Sequence, residues 1–77
     1  MRKLKLIWDF RGPAGQKTAE HHLVHLKEYI EINQLDITVT GVETINDMHS
    51  LAYLVVDEAE MKPIRDQLKP HRGLVYS

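Results

Sequence analysis

The apolar residues of this chain change their period between neighbouring segments, and that change restricts the fold more than any other feature. Leu4, Leu6, Trp8 and Phe10 alternate with Lys3, Lys5, Ile7 and Asp9. A period of two describes a strand with one face against a core. Arg11-Gly12-Pro13-Ala14-Gly15 interrupts it with turn-forming residues. From about Lys17 the spacing becomes helical: Ala19, Leu23, Leu26 and Ile30 form a stripe, with Glu20, Lys27, Glu28 and Glu31 off it. Gly15 or Thr18 is placed to cap this helix, and Asn33-Gln34 should end it.

The same succession follows again. Ile37 and Val39 alternate with Thr38 and Thr40 as a second strand. Gly41 to His49, with its Gly, Asn and Asp, reads as a connection anchored by Val42 and Ile45. Leu51 to Val56 is nearly all apolar, as in a strand with neighbours on both sides and burial on both faces. Asp57-x-x-Glu60 resembles a capping box, and Met61, Ile64 and Leu68 supply a second helical stripe. Pro63 fits only a first turn, where its missing N–H needs no partner, so the regular helix should begin later than Asp57. Lys69-Pro70 stops it, and Gly73 to Tyr76 is a final short strand.

Strand, helix, strand, strand, helix, strand is two split β-α-β units. Right-handed crossovers place both helices on one face of a four-stranded antiparallel sheet of spatial order 4-1-3-2. The expected fold class is therefore α+β, a ferredoxin-like plait (βαββαβ) spanning residues 1–77 as a single domain. This architecture hosts many functions and by itself assigns none. The glycine-rich phosphate loop and arginine of the acylphosphatases are missing, as is the Cys-x-x-Cys of the heavy-metal-binding plaits.

A chain of 77 residues buries only about 60% of the surface its unfolded form exposes, so shared burial with a partner would help it. It has no cysteine, which removes disulfides, thiolate chemistry and zinc ribbons. A net charge of -1, from 10 basic and 11 acidic residues, gives no overall footprint for nucleic acid. The basic Met1-Arg2-Lys3-Leu4-Lys5 leads into Leu6-Ile7-Trp8-Asp9 without a long apolar stretch. Neither a signal peptide nor a membrane span is expected, and the cytoplasm is the expected compartment.

Three of the five histidines fall in His21-His22-x-x-His25. At about 100° per residue, His21 and His25 lie opposite the buried stripe on adjacent turns, whereas His22 lies at the stripe's edge beside Tyr29. An i, i+4 pair can chelate zinc, copper or nickel, so His21 and His25 are weak metal candidates that lack a third ligand. Partial burial should lower the pKa of His22, which makes it the candidate acid/base. The simpler reading leaves the pair on a solvated face and bonds His22 to a turn carbonyl. The topology collects Asp9, Arg11, Gly15, His22, His49, His71 and Arg72 at one end of the sheet. These are the candidate ligand-binding residues, suited to a small anion near the N-terminus of the first helix. The other end holds Asp36, Asp57, Glu58 and Glu60.

Three functions follow as expectations. The first is a non-enzymatic ligand-binding or protein-interaction module without a cofactor, acting as a homodimer. The second is a small isomerase or lyase using a histidine acid/base, and the third is histidine-based metal binding. The homodimer is expected to form through the open sheet face, with Ile7, Val75 and alternate residues of Leu51 to Val56 at its centre. Lys3, Lys5, Thr38 and Thr40 would form its rim. No nucleic-acid or membrane partner is expected.

Overall fold

Trp8 marks the centre of the observed core, with a relative exposure of 3%. The structure is a computed structural model that describes residues 2–76. Its elements are β1 (Lys3–Arg11), α1 (Gly15–Ile32), β2 (Thr40–Asn46), β3 (His49–Asp57), a 3-10 turn (Glu58–Glu60), α2 (Met61–Leu68) and β4 (Arg72–Tyr76). The strands form one antiparallel sheet in the order β2-β3-β1-β4. No helix among the described residues is long and apolar enough to cross a membrane.

The first turn is built around two glycines. Gly12 has φ +103° and donates its N–H to the Met48 carbonyl at 2.7 Å, tying the end of β1 to the β2-β3 hairpin. A Cβ at Gly15 would lie 2.7 Å from the Phe10 carbonyl oxygen, so only glycine lets α1 begin this close to β1. The helix therefore starts two residues before the periodic stripe suggests. Ala14 occupies the N-cap without a side-chain bond. Thr18 lies inside the helix, its hydroxyl donating to the Ala14 carbonyl at 3.0 Å.

The second strand is displaced relative to the sequence reading. Thr40–Asn46, read as mostly a connection, is the strand, while Ile37–Val39 precedes it. A tight turn causes the difference: Asn46 Oδ1 accepts the Met48 N–H at 2.8 Å, and the chain reverses between Asn46 and His49. Pairing therefore runs up to the residues that look like breakers. Val42 packs on the core as expected, whereas Ile45 is 49% exposed. Asp57 ends β3 and makes no capping bond; its carboxylate faces Lys3 Nζ at 3.9 Å. Pro63 falls in the first turn of α2, as expected, and Lys69 at φ 50° closes that helix.

Residues paired across antiparallel strands share a face. Leu6, Trp8, Ala52, Leu54 and Val56 meet Ala19 and Leu26 of α1 and Ile64 of α2, so both helices cover one face of the sheet. The Trp8 indole N–H donates to the Leu68 carbonyl at 3.0 Å, anchoring the end of α2 to β1. The open face carries Lys5, Ile7, Asp9, Leu51, Tyr53, Val55, Arg72 and Leu74. Val75 corrects the sequence reading: it pairs with Leu4 and lies on the helix side, while Leu74 and Tyr76 take the open face. Thr40, expected at the open rim, pairs with Leu54 and also lies on the helix side.

Candidate functional site

The sheet divides the polar end of the molecule into two groups. Asp9 is the second odd-numbered residue after Lys5 on β1, so its carboxylate stands on the open face with Ile7. His49 and Arg72 arrive on the same face from β3 and β4. The Arg72 guanidinium binds the carboxylate in a fork, Nε to Oδ2 at 2.9 Å and Nη2 to Oδ1 at 3.1 Å. His49 Nε2 lies 2.7 Å from Oδ1. Asp9 and His49 are largely buried, with side-chain exposures of 15% and 13%.

The electrostatics follow from this geometry. The Arg72 hydrogen bonds and charge, helped by His49, hold the Asp9 carboxyl down at about 2 against the opposing effect of burial. The same carboxylate raises the pKa of Arg72. Because Asp9 is ionised at ordinary pH, it only accepts, and His49 Nε2 must carry the proton between them. Nδ1 is then the ring nitrogen left to accept when His49 is neutral. Arg11 stands directly opposite His49 in the β1-β3 register and is exposed.

The second group lies on the helix side. The His22 ring stacks obliquely against Trp8 and Phe10, at centroid distances of 5.1 and 5.4 Å. Its Nε2 is shut off from solvent without a hydrogen-bond partner, so the turn carbonyl expected for it is not there. Burial lowers its pKa, with smaller contributions from His25 and His71. His71 joins the two groups. Its Nδ1 accepts the Asp9 backbone N–H at 2.8 Å, and its ring meets Phe10 edge-on at 6.3 Å. The structure thus assembles Asp9, His49, His71 and Arg72, sets His22 apart through the sheet, and gives Gly15 a packing role.

His21 and His25 are exposed on adjacent turns of α1, their ring centroids 5.7 Å apart. His25 Nδ1 lies 3.4 Å from Glu28. Among the described residues, no three side chains of His, Asp or Glu gather as a metal-holding group. At the other end of the sheet, Asp57 and Glu58 face Lys3 and Arg2. The sequence reading of that end as purely acidic omitted these cations at the start of β1.

Two grooves lie away from the histidines. One, of about 330 Å³, runs between α2 and β4 and is lined by Leu4, Leu6, Met61, Arg65, Gly73 and Val75 among others. The other, of about 320 Å³, separates the end of α1 from the start of α2 around Tyr29, Leu35 and Pro63. Beside the first groove, Leu74, Val75 and Tyr76 are 49%, 60% and 40% exposed. Comparison with family models, curated proteins and solved structures finds no match for this chain.

Proposed function

We propose that this chain is a ferredoxin-like plait serving as a non-enzymatic interaction module, active as a homodimer in the cytoplasm. The element order and the β2-β3-β1-β4 sheet support the architecture. One observation carries the interaction reading: Leu74, Val75 and Tyr76 expose three consecutive large apolar side chains on an outer strand beside an apolar groove. Such surfaces mark partner sites in small proteins. The candidate ligand residues point the same way, because Asp9, His49 and Arg72 satisfy one another and act as a clamp on three strands. Sedimentation velocity over a dilution series tests the reading. A dimer that dissociates on dilution is the expected result, and a monomer at every concentration refutes it.

A second reading draws on the Asp9–His49 contact. A carboxylate that fixes a histidine tautomer leaves the other ring nitrogen as an oriented base. With Arg11 and Arg72 nearby, that base would serve an isomerase or lyase acting on a small carboxylic acid. This reading moves the acid/base role from His22 to His49. Titration with a panel of small carboxylic acids, followed by amide NMR, decides it. Saturable shifts at Arg11, His49 and Arg72 would support it, and their absence across the panel would dismiss it.

A further inference from the structure

The two edges of the sheet are built differently. The β2 edge is interrupted by a register shift between Thr44 and Asn46 and carries Glu43. Irregularity and charge are the usual means of keeping an edge from pairing. The β4 edge has no register shift against β1, and its sequence, Arg-Gly-Leu-Val-Tyr, carries a single charge at the first position.

The direction of its free hydrogen-bonding groups can be worked out. The Asp9 N–H reaches His71, and the Ile7 carbonyl accepts the His71 N–H, so the odd-numbered backbone groups of β1 face β4. Arg72, Leu74 and Tyr76, which pair with Ile7, Lys5 and Lys3, therefore turn their backbone groups inward. Those of Gly73 and Val75 point outward from the sheet.

Resting on the homodimer reading above, we propose that the β4 edge pairs with β4 of a second copy of this chain. The strands run antiparallel about a two-fold axis at Leu74, giving one continuous eight-stranded sheet. This register pairs all five residues of β4. Gly73 faces the partner's Val75, and their outward N–H and C=O groups exchange hydrogen bonds twice over. Leu74 faces its own copy in the close, non-hydrogen-bonded position. Arg72 faces the partner's Tyr76, so the strand's one cation meets an aromatic ring rather than another cation. A register centred on Gly73 or Val75 leaves terminal residues of β4 unpaired.

Gly73 fits this role. It interrupts a strand, yet a Cβ there would meet only ordinary contacts, 3.5 Å to Leu6 and 3.8 Å to the Lys5 carbonyl. The protomer itself does not require glycine at this position, and strand glycines are found where another backbone approaches closely. The missing side chain opens the α2-β4 groove on the helix side, where the partner's Val75 would lie against Leu6 and Met61.

The natural absence of cysteine makes the test direct. Leu74→Cys should cross-link to itself under mild oxidation, giving a covalent dimer on a non-reducing gel. Ile45→Cys, equally exposed on the other edge, should stay monomeric. Leu74→Glu and Leu74→Lys should each sediment as monomers with unchanged circular dichroism, because like charges would face each other across the axis. An equimolar mixture of the two should recover the dimer. A wild-type dimer with no Leu74→Cys cross-link, or a Leu74→Glu protein as dimeric as wild type, overturns the edge assignment and leaves the homodimer reading standing. A wild type that is monomeric throughout defeats both.

Discussion

Replacing Asp9 with asparagine should remove a specific part of this protein's sensitivity to acid. The carboxyl titrates at about 2 in the folded chain against an ordinary 3.8. Because the folded pKa is depressed, the associated stability is fully present above about pH 4 and is lost as pH falls through the folded value. Each pKa unit is worth about 1.4 kcal/mol, which sets an upper limit of roughly 2.5 kcal/mol. The Arg72 side chain is 45% exposed, so solvent screening reduces the expected contribution to about 1–2 kcal/mol. Asparagine keeps the shape and one acceptor but has no proton to gain. Urea denaturation from about pH 5 to about pH 2 should therefore show wild type losing about 1–2 kcal/mol more than Asp9→Asn over that window. Parallel stability curves would show that the Arg72 fork and the His49 contact do not hold the carboxylate as described.

Other perturbations report on separate parts of the molecule. Trp8→Ala removes the core's largest side chain and the anchor of α2 on β1, and should cost about 3–5 kcal/mol in urea denaturation; native tryptophan emission as red as free indole would contradict the buried placement. Gly15→Ala should lower the thermal midpoint sharply, whereas Gly73→Ala should leave the protomer's fold intact, because only at Gly15 would a Cβ strike backbone. His22, whose pKa is lowered by burial, should titrate below an exposed histidine in ring-proton NMR. Since its folded pKa lies below the unfolded value, stability should fall as pH drops through 6.5, and His22→Phe should flatten that dependence.

Where the sequence was legible, it was so because burial on one face imposes a period. Leu6, Trp8 and the Leu51–Val56 run declare the two central strands, and Ala19 and Leu26 declare the face of α1 that meets them. The second strand was misplaced because its evidence is weak. Thr40–Asn46 has one core residue, Val42, and its position is set by a turn at Asn46 and by pairing with β3. Neither leaves a periodic trace. The site was legible in membership more than in arrangement. Asp9, His49, His71 and Arg72 do converge, but grouping His22 with them ignored the parity of β1. With Trp8 and Phe10 facing the helices, Asp9 and Arg11 had to face away. That signal was present in the alternation itself. The Arg72 fork was not legible, because it depends on β4 lying beside β1 in one register.

The open face explains why the exposed apolar surface of the sheet lies at an edge instead. Ile7, Leu51 and Val55 sit on the side no helix covers, yet they are only 2%, 2% and 5% exposed. Their cross-strand partners on that face include Lys5, Asp9, Tyr53 and Arg72, all with long or polar side chains. The Tyr53 ring lies across Gly41, where a Cβ would come within 2.6 Å of its hydroxyl oxygen, and Lys5 Nζ stands 4.3 Å above the ring. Asp9, His49 and Arg72 add a hydrogen-bonded cover at the other end. Gly41 is thus a requirement of tyrosine packing, and Lys5 contributes both its stem and a cation–π contact. Among the described residues, no strand pairs with the outer side of β4. Leu74 and Tyr76 are exposed on the open face, and Val75 is exposed beside the α2-β4 groove. The apolar surface left exposed within one copy thus lies at that edge, where the strand proposed above would supply a neighbour.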